Sequence, residues 1–354
     1  MIWFDLDMPK SALFFIPIIR ELNVRGEKTI ITTREGPGYT EVVELLRLYD
    51  IPFYSRGRFG GADIADKLRE SISRTHHLVS HVLKHDVTKL VCLISVDANR
   101  TAFGLGIPII NFCDMPLADF GMDLSKTLPQ ARLTLPLSNK IFHPYMIPRE
   151  LFTRFVMEEH SILTYHFLDA YMWLKDFVPD RSFYEDFLAE HHLDPSRPTI
   201  VIREEEFKAS YVQHRYPLLY KGMHRLKKKI AANFVIIPRY EVKPLKKEFP
   251  FATVVEKKFV VQHVLAFADL FVGGGGTMNS EACFFGTPTI STRSFICHYD
   301  KLLIDHGLMV RANTVDDLVA LSIQLLGQRI DSKGFFDAME LNLDHILNEI
   351  ISTK

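Results

Sequence analysis

Short apolar runs alternate with longer amphipathic segments along this chain, which is the pattern of repeated βαβ units. In the first half, residues 2–6 and 28–33 predict strands, and residues 14–25 between them predict a helix that ends at Gly26. Further strands are predicted at residues 51–55, 89–95 and 108–112, and further helices at residues 39–49, 64–83 and 99–104. Strands joined by helices pair in parallel, so we expect a parallel sheet with helices on both faces.

The same alternation of predicted strands and helices starts again in the second half of the chain. Strands are predicted at residues 198–203, 233–238, 253–256, 270–272 and 289–291, and helices at residues 216–232 and 260–268 and from Thr277 and Tyr299. The part between, residues 120–179, is less regular and rich in proline and aromatic residues. The pattern predicts an α/β protein with two Rossmann-like domains, 1–165 and 166–334, that face a cleft, and a helix in 335–354 that returns to the first domain.

Charge and cysteine usage exclude several classes of function. The net charge of −1 over 354 residues gives no reason to expect nucleic acid as a partner. The four cysteines have no metal-ligand spacing, so we expect no metal site and reduced thiols in a cytoplasmic protein. The apolar run at residues 13–19 is too short to span a bilayer. The sequence leaves open whether the protein contacts a membrane peripherally and whether it forms a homodimer.

The most informative motif is four consecutive glycines, Gly273, Gly274, Gly275 and Gly276, between a predicted strand and the helix from Thr277. Glycines let another group approach the backbone, and a helix N-terminus offers unpaired N–H groups and a positive dipole end to a phosphate. Glu281, one turn into the helix, could accept hydrogen bonds from ribose hydroxyls. The spacing matches neither the Walker loop nor GxGxxG. The alternative is a tight strand-to-helix turn without a ligand.

Two more residues of the second half follow predicted strands, where ligands of parallel sheets collect. Arg203 could meet a diphosphate, although it could also pair with the acidic residues 204–206. Asp300 lies in the loop after the strand that follows the glycine helix, and it could contact the sugar of a nucleotide sugar. The alternative for Asp300 is a helix N-cap.

Strand ends of the first half carry carboxylates that suit acid/base chemistry on a hydroxylated substrate. Asp97 follows the fourth predicted strand and Asp114 the fifth, and we expect chemistry at these two rather than at Asp5 or Asp7 after the first strand. Any one of the four could instead cap a helix or shape a turn, because aspartate is favoured in both places.

The segment FVGGGGTMNSEACFFGTPTIS at residues 271–291 resembles the donor-nucleotide segment of GT-B glycosyltransferases and of UDP-N-acetylglucosamine 2-epimerases. Nearly the whole chain is similar to a mostly archaeal family of unknown function with that fold, through IWFDLDMPK, AFGLGIPIINFCD, LPLSNKIFHPYMIP and GGGGTMNSEA. The resemblance implies a GT-B-like fold and a nucleotide-sugar ligand. It also implies that Glu281 binds the ribose, that residues 274–277 lie beside the diphosphate, and that Arg203 occupies the place of an arginine in related proteins.

In the first half the resemblance implies that Asp97 and Asp114 match the catalytic carboxylates of the epimerases. This chain departs from the epimerase pattern at Ser95 and Val96, where the pattern has histidine and glycine. It also has Ser11, Ala12 and Leu13 where the family usually shows histidines. These differences bear on the identity of the catalytic base.

Three functions follow from these patterns. The first is an inverting, metal-independent glycosyltransferase with a UDP-sugar donor and an unknown acceptor, which needs no cofactor besides the nucleotide sugar. The second is an enzyme like the UDP-N-acetylglucosamine 2-epimerases, and the third is a protein that binds nucleotide sugar without catalysis. We favour the transferase, because the glycine- and arginine-rich loop RGRFGG at residues 56–61 suits a second substrate.

Overall fold

The structure is a computed structural model that describes residues 1–36, 39–61, 63–205 and 218–354. The chain forms two compact units. The first consists of Met1–Trp173 with Glu340–Lys354, and the second of Leu174–Met339. The expected start of a helix at Tyr216 lies outside the described residues.

The first unit contains every strand and helix that the first half predicts, together with elements that the pattern did not predict. In chain order they are β1 (Ile2–Asp5), α1 (Pro9–Val24), β2 (Thr29–Thr33), α2 (Glu41–Leu48), β3 (Tyr54–Ser55), α3 (Ile64–Val82), β4 (Lys89–Leu93), α4 (Val96–Gly104), β5 (Ile109–Phe112), α5 (Pro129–Thr134), β6 (Lys140–Pro144), β7 (Ile162–Tyr165) and α6 (Tyr171–Leu174). All seven strands pair in parallel in the order β3-β2-β1-β4-β5-β6-β7. The irregular middle part therefore supplies two strands, β6 and β7.

The sheet of the first unit is buried on both faces, as the apolar strands predict. On one face Trp3, Leu90 and Cys92 pack against helices α3 and α4. On the other, Phe14 and Phe15 of α1 pack edge-on against Phe112 of β5, with ring centroids 5.3 and 5.1 Å apart. Helix α1 begins at Pro9, earlier than the apolar pattern indicates, and proline suits the first position of a helix.

The second unit repeats the architecture. Its elements are α7 (Arg181–Glu190), β8 (Thr199–Arg203), α8 (Leu218–Lys229), β9 (Asn233–Ile237), α9 (Val242–Glu248), β10 (Thr253–Val254), α10 (Val261–Phe267), β11 (Leu270–Gly273), α11 (Gly276–Phe284), β12 (Thr289–Ser291), α12 (His298–Asp305), β13 (Val310–Arg311), α13 (Val315–Leu325) and α14 (Lys333–Asp337). The six parallel strands have the order β10-β9-β8-β11-β12-β13. Alternate residues of β8 and β9 enter two separate cores on the two faces.

The last helix, α15 (Leu343–Ser352), belongs to the first unit. Two lysines at the beginning of strands hold its end. The Lys89 ammonium donates to the carbonyls of Ile350, Ile351 and Thr353, at 3.1, 2.6 and 2.6 Å, and Lys140 contacts the Glu349 carboxylate at 2.5 Å. A cation at a helix C-terminus satisfies the unpaired carbonyls and favours the negative dipole end.

Within the described ranges, no helix combines the length and apolar composition that crossing a bilayer requires. The same ranges contain no group of three or more histidine, cysteine, aspartate or glutamate side chains that could hold a metal ion. All four cysteines are buried and free.

Candidate functional site

Both sheets have a topological switch point, where the strand order reverses and ligands of open α/β sheets bind. In the first unit it lies between β1 and β4, and in the second between β8 and β11. The glycine run begins at the end of β11, where Gly273 pairs in register with Arg203 of β8. The sequence pattern therefore puts its most informative motif at the position where this fold binds ligands.

The glycine turn, defined here as Gly273–Gly276, has no room for a side chain at Gly273 or Gly274. A Cβ on Gly274 would lie 2.5 Å from the Cα of Glu205, in the backbone that leaves β8. Helix α11 begins at Gly276 with Gly275 as N-cap, and a glycine has no side chain that could cap the helix. Its first N–H groups therefore lack the partners that a capping residue supplies.

Two arginines border the glycine turn. A Cβ on Gly275 would lie 2.9 Å from Nη2 of Arg239, and one on Gly276 would lie 3.1 Å from Nη1 of Arg293. Each guanidinium is thus within contact distance of the helix N-terminus. Two cations beside the positive end of a helix dipole form a surface that favours an anion. Arg203 lies deeper, buried, and donates to the carbonyl of Pro238 at 2.6 Å.

Neighbouring groups fix the orientation of Arg293. Its Nη1 donates to Oδ2 of Asp300 at 2.8 Å, and the guanidinium stacks 4.0 Å from the ring centroid of Phe295. Oδ2 of Asp300 also accepts from the backbone N–H of Cys297, the N-cap of α12, at 3.0 Å. Asp300 is buried, and in this structure it positions Arg293 and caps a helix.

Glu281 and Thr277 both lie on α11, after the turn. Thr277 is half-buried in the first turn of the helix. Glu281 is only 1% exposed, and its Oε1 accepts from Nε2 of Gln262 at 2.8 Å. The structure thus brings the glycines, Thr277, Arg203 and Glu281 together around one end of one sheet, with Asp300 linked to them through Arg293.

Two buried oxygens beside the turn have no hydrogen-bond partner among the described residues. They are Oδ1 of Asn279 in α11 and Oγ1 of Thr292 after β12. The N–H of Thr292 donates to the carbonyl of Gly273 at 3.0 Å, which places this residue directly against the turn. Buried polar atoms without partners are rare in folded proteins and indicate a place where water or ligand binds.

The switch point of the first unit holds a buried ion network. Arg74 of α3 is 0% exposed and donates to Asp5 of β1 at 2.6 and 3.2 Å and to Asp97 of α4 at 3.3 Å. Asp5 also accepts from Oγ1 of Thr32 and Oγ of Ser95, both at 2.5 Å. Burial alone would lower the pKa of Arg74, but the carboxylates of Asp5 and Asp97 raise it above its ordinary value.

The two predicted carboxylates of the first unit belong to different ion-pair clusters. Asp97 lies in the Arg74 network and accepts from Oγ of Ser71 at 2.5 Å. Asp114, at the end of β5, forms an ion pair with Lys10, which also contacts Asp169 at 2.6 Å. Burial lowers the pKa of Lys10, but Asp114 and Asp169 outweigh this effect and raise it.

Asp7 and Arg34, which follow β1 and β2, lie at the same switch point. Nη2 of Arg34 donates to Oδ2 of Asp7 at 3.3 Å, and Nη1 lies 4.0 Å from Oδ2 of Asp97. Oδ1 of Asp7 is buried and has no hydrogen-bond partner in the part of the chain that the structure describes. Burial raises the pKa of Asp7 to about 6; Asp5 and Asp97 add to this, and Arg34 and Arg74 oppose it.

Sequence reasoning missed Arg293 and Arg74, and it ranked Asp7 below Asp97 and Asp114. Arg293 could have been found from the sequence, because it lies two residues after the predicted strand that follows the glycine helix. The sequence gives no indication of the role of Arg74, since this residue lies in the middle of a polar helix, 69 residues from Asp5.

Two parallel-sheet units of seven and six strands define an α/β protein of the GT-B-like class. The chain belongs to the family described as Protein of unknown function (DUF354), whose model matches residues 1–353. An uncharacterized protein of the archaeon Methanocaldococcus jannaschii is 26% identical over 351 residues, which are 98% of each chain. The resemblance to a family of unknown function with archaeal members is thereby confirmed.

Solved structures show the same fold. The UDP-GlcNAc 2-epimerase of Methanocaldococcus jannaschii, in complex with UDP-GlcNAc and UDP, superimposes with a TM-score of 0.74 at 14% identity, over 99% of this chain and 99% of that one. The glycotransferase of kitacinnamycin superimposes with a TM-score of 0.57 at 14% identity, over 99% of this chain and 95% of that one. At this identity the likeness establishes the fold, and the predicted GT-B-like class is confirmed.

Proposed function

We propose that the protein binds a nucleoside diphosphate sugar, with UDP as the favoured nucleotide, at the glycine turn of the second unit. The observation that carries this proposal is the N-terminus of α11, which has a glycine as N-cap, at a switch point and beside the guanidiniums of Arg239 and Arg293. The unpartnered Oγ1 of Thr292 supports it. UDP is favoured because solved structures of the same fold hold it.

We further propose that the bound sugar is transferred to an acceptor hydroxyl with inversion. In such a step the acceptor oxygen bonds to the anomeric carbon, and the nucleoside diphosphate departs with the electrons of the broken bond. The α11 N–H groups and the two arginines would stabilise the departing charge, so the proposal requires no metal. Asp97 and Asp114 are the carboxylates that the resemblance proposes for proton transfer.

A second candidate is epimerisation of the sugar. Its support is the whole-chain likeness to a UDP-GlcNAc 2-epimerase. Incubation of the protein with UDP-GlcNAc and no acceptor distinguishes the two. Slow release of free sugar and UDP supports transfer, with water as the acceptor, whereas a 2-epimer or an eliminated sugar supports epimerisation.

We expect two substitutions to distinguish the residue that binds the diphosphate from the residue that binds the ribose. Arg239→Gln should weaken the binding of both UDP and inorganic pyrophosphate by roughly 10- to 100-fold, the worth of a charge-assisted hydrogen bond. Glu281→Gln should weaken UDP by about 10-fold and leave pyrophosphate unchanged, because pyrophosphate has no ribose. Calorimetric titration measures both.

Glu190→Gln, an exposed position on α7, is the matched control and should bind both ligands like the wild type. Failure of the wild-type protein to bind any nucleoside diphosphate would falsify the proposal. If Glu281→Gln weakened the binding of UDP and of pyrophosphate equally, the proposal that Glu281 binds the ribose would be wrong.

A further inference from the structure

We propose that Asp7 is the group that takes the proton from the acceptor hydroxyl in the first unit. This inference rests on the glycosyl transfer proposed above and names its base, which differs from the two carboxylates that the resemblance suggests.

Asp7 lies two residues beyond the end of β1, at the reversal of strand order between β1 and β4. It precedes Pro9, the first residue of α1, so the backbone leaves the sheet at this point. Side chains here occupy the place where open α/β sheets bind their substrates.

Asp7 has acceptor capacity that its neighbours lack. Asp5 accepts from Arg74, Thr32 and Ser95. Asp97 accepts from Arg74 and Ser71. In Asp7 only Oδ2 accepts, from Arg34 over 3.3 Å, whereas the buried Oδ1 has no partner among the described residues. The side chain as a whole is 10% exposed.

The surrounding charges suit a group that changes its protonation state. The charged groups that act on Asp7 are Asp5 on β1, Arg34 after β2, Arg74 on α3 and Asp97 on α4. With Asp7 ionised, three carboxylates face two guanidiniums, and a proton on Asp7 makes the numbers equal. A pKa of about 6, set first by burial, leaves Asp7 ionised at neutral pH but still able to hold a proton.

An aromatic pair beside Arg34 indicates the class of acceptor. Tyr39 and Phe59 stack with ring centroids 4.1 Å apart, and the Arg34 guanidinium lies 5.4 Å from the centroid of Phe59. Both rings are half-buried. Aromatic faces next to a charged group suit a ring with an apolar face and hydroxyl edges, such as a pyranose. We therefore infer a sugar-like acceptor.

The chemical step balances in atoms and charge. The Asp7 carboxylate takes the hydroxyl proton of the acceptor, and the acceptor oxygen forms a bond to the anomeric carbon of the donor. The bond from that carbon to the diphosphate oxygen breaks, and the nucleoside diphosphate leaves with the electron pair. Arg34 stays charged throughout and orients Asp7.

The test uses UDP-GlcNAc with water as the acceptor and measures release of UDP. Wild-type release should rise with pH up to about 6 and then level off, since only ionised Asp7 accepts a proton. Asp7→Asn should lower kcat by about 10²- to 10⁴-fold, the usual contribution of a general base, and leave UDP affinity unchanged. Asp7→Glu should keep part of the activity with a shifted pH profile.

A second measurement is independent of turnover. The native pKa of Asp7 lies above its ordinary value of 3.8, so an ionised Asp7 destabilises the fold above pH 6 and this effect is absent below pH 3.8. Asp7→Asn should therefore raise the thermal midpoint by about 5 °C at pH 8 and not at pH 3.5. Asp86→Asn, an exposed position in the same unit, should change neither the midpoint nor UDP release.

The outcomes separate the two proposals. A wild-type protein that does not bind UDP refutes the proposed function, whatever Asp7 does. A wild-type protein that binds UDP and releases it from UDP-GlcNAc, with Asp7→Asn equally fast and equally dependent on pH, overturns only the role of Asp7. UDP binding without any release from the wild type also overturns that role and favours a non-catalytic binder.

Discussion

Gly274→Ala is expected to abolish most UDP binding, with a loss of about 100-fold in affinity, or about 2.7 kcal/mol. The new methyl group would lie 2.5 Å from the Cα of Glu205. Because this neighbour is backbone, the ends of β8 and β11 must move apart, and the N–H groups of α11 lose their alignment with a diphosphate. The same overpacking should lower the free energy of unfolding by about 1–3 kcal/mol.

Two further alanine variants should lose less UDP affinity than Gly274→Ala, in proportion to the space at each glycine. The new methyl group of Gly276→Ala would meet the guanidinium of Arg293, with Nη1 nearest at 3.1 Å; a few tenths of an ångström of side-chain displacement relieve this contact, so we expect a loss of about 10-fold. Gly334→Ala in α14 meets nothing within 4 Å and should bind UDP like the wild type. Calorimetry with denaturant unfolding measures both effects. Normal UDP affinity in a folded Gly274→Ala protein would contradict the proposed place of the diphosphate.

Arg74→Met should be the most destabilising substitution in the first unit, at about 3–5 kcal/mol. Arg74 is fully buried, and its removal leaves the carboxylates of Asp5 and Asp97 without their shared cation. Removing one partner of a buried ion pair costs far more than the pair itself contributes, because the remaining charge stays desolvated. Urea unfolding monitored by circular dichroism measures the change.

Arg69→Met on the same helix is the control. The Arg69 side chain is 75% exposed and pairs with Asp66 on the surface of the helix, so its loss should change the unfolding free energy by at most about 0.5 kcal/mol. Combining Arg74→Met with Asp5→Asn should cost less than the sum of the two single changes, since the double variant leaves fewer unpaired charges. Similar stability of Arg74→Met and Arg69→Met would show that the network is not structural.

The fold was predictable where apolar runs have clear boundaries. Residues 289–291 form β12 as predicted, and the helix after the glycines begins at Gly276, one residue before the predicted start. Prediction failed where a strand is short and contains polar or proline residues, as in β6 with Lys140 and Pro144. The predicted strand at residues 51–55 is reduced to Tyr54–Ser55, because pairing with β2 covers only these two residues.

The candidate site was predictable only where its chemistry is local in the sequence. The glycine turn and Glu281 lie within nine residues, so the motif identifies them together. The partners of Asp97 depend on tertiary packing, which brings Arg74 from another helix and Arg34 from another strand end. The burial that raises the pKa of Asp7 likewise depends on packing and has no signature in the sequence.

The central claim is that the glycine turn binds the diphosphate of a nucleotide. A crystal structure of the protein with UDP tests it most directly. We predict phosphate oxygens at about 2.7–3.2 Å from the backbone nitrogens of Gly275 or Gly276 and from the guanidinium of Arg293. A diphosphate bound at any other place, or a glycine turn left empty at saturating UDP, would contradict the account.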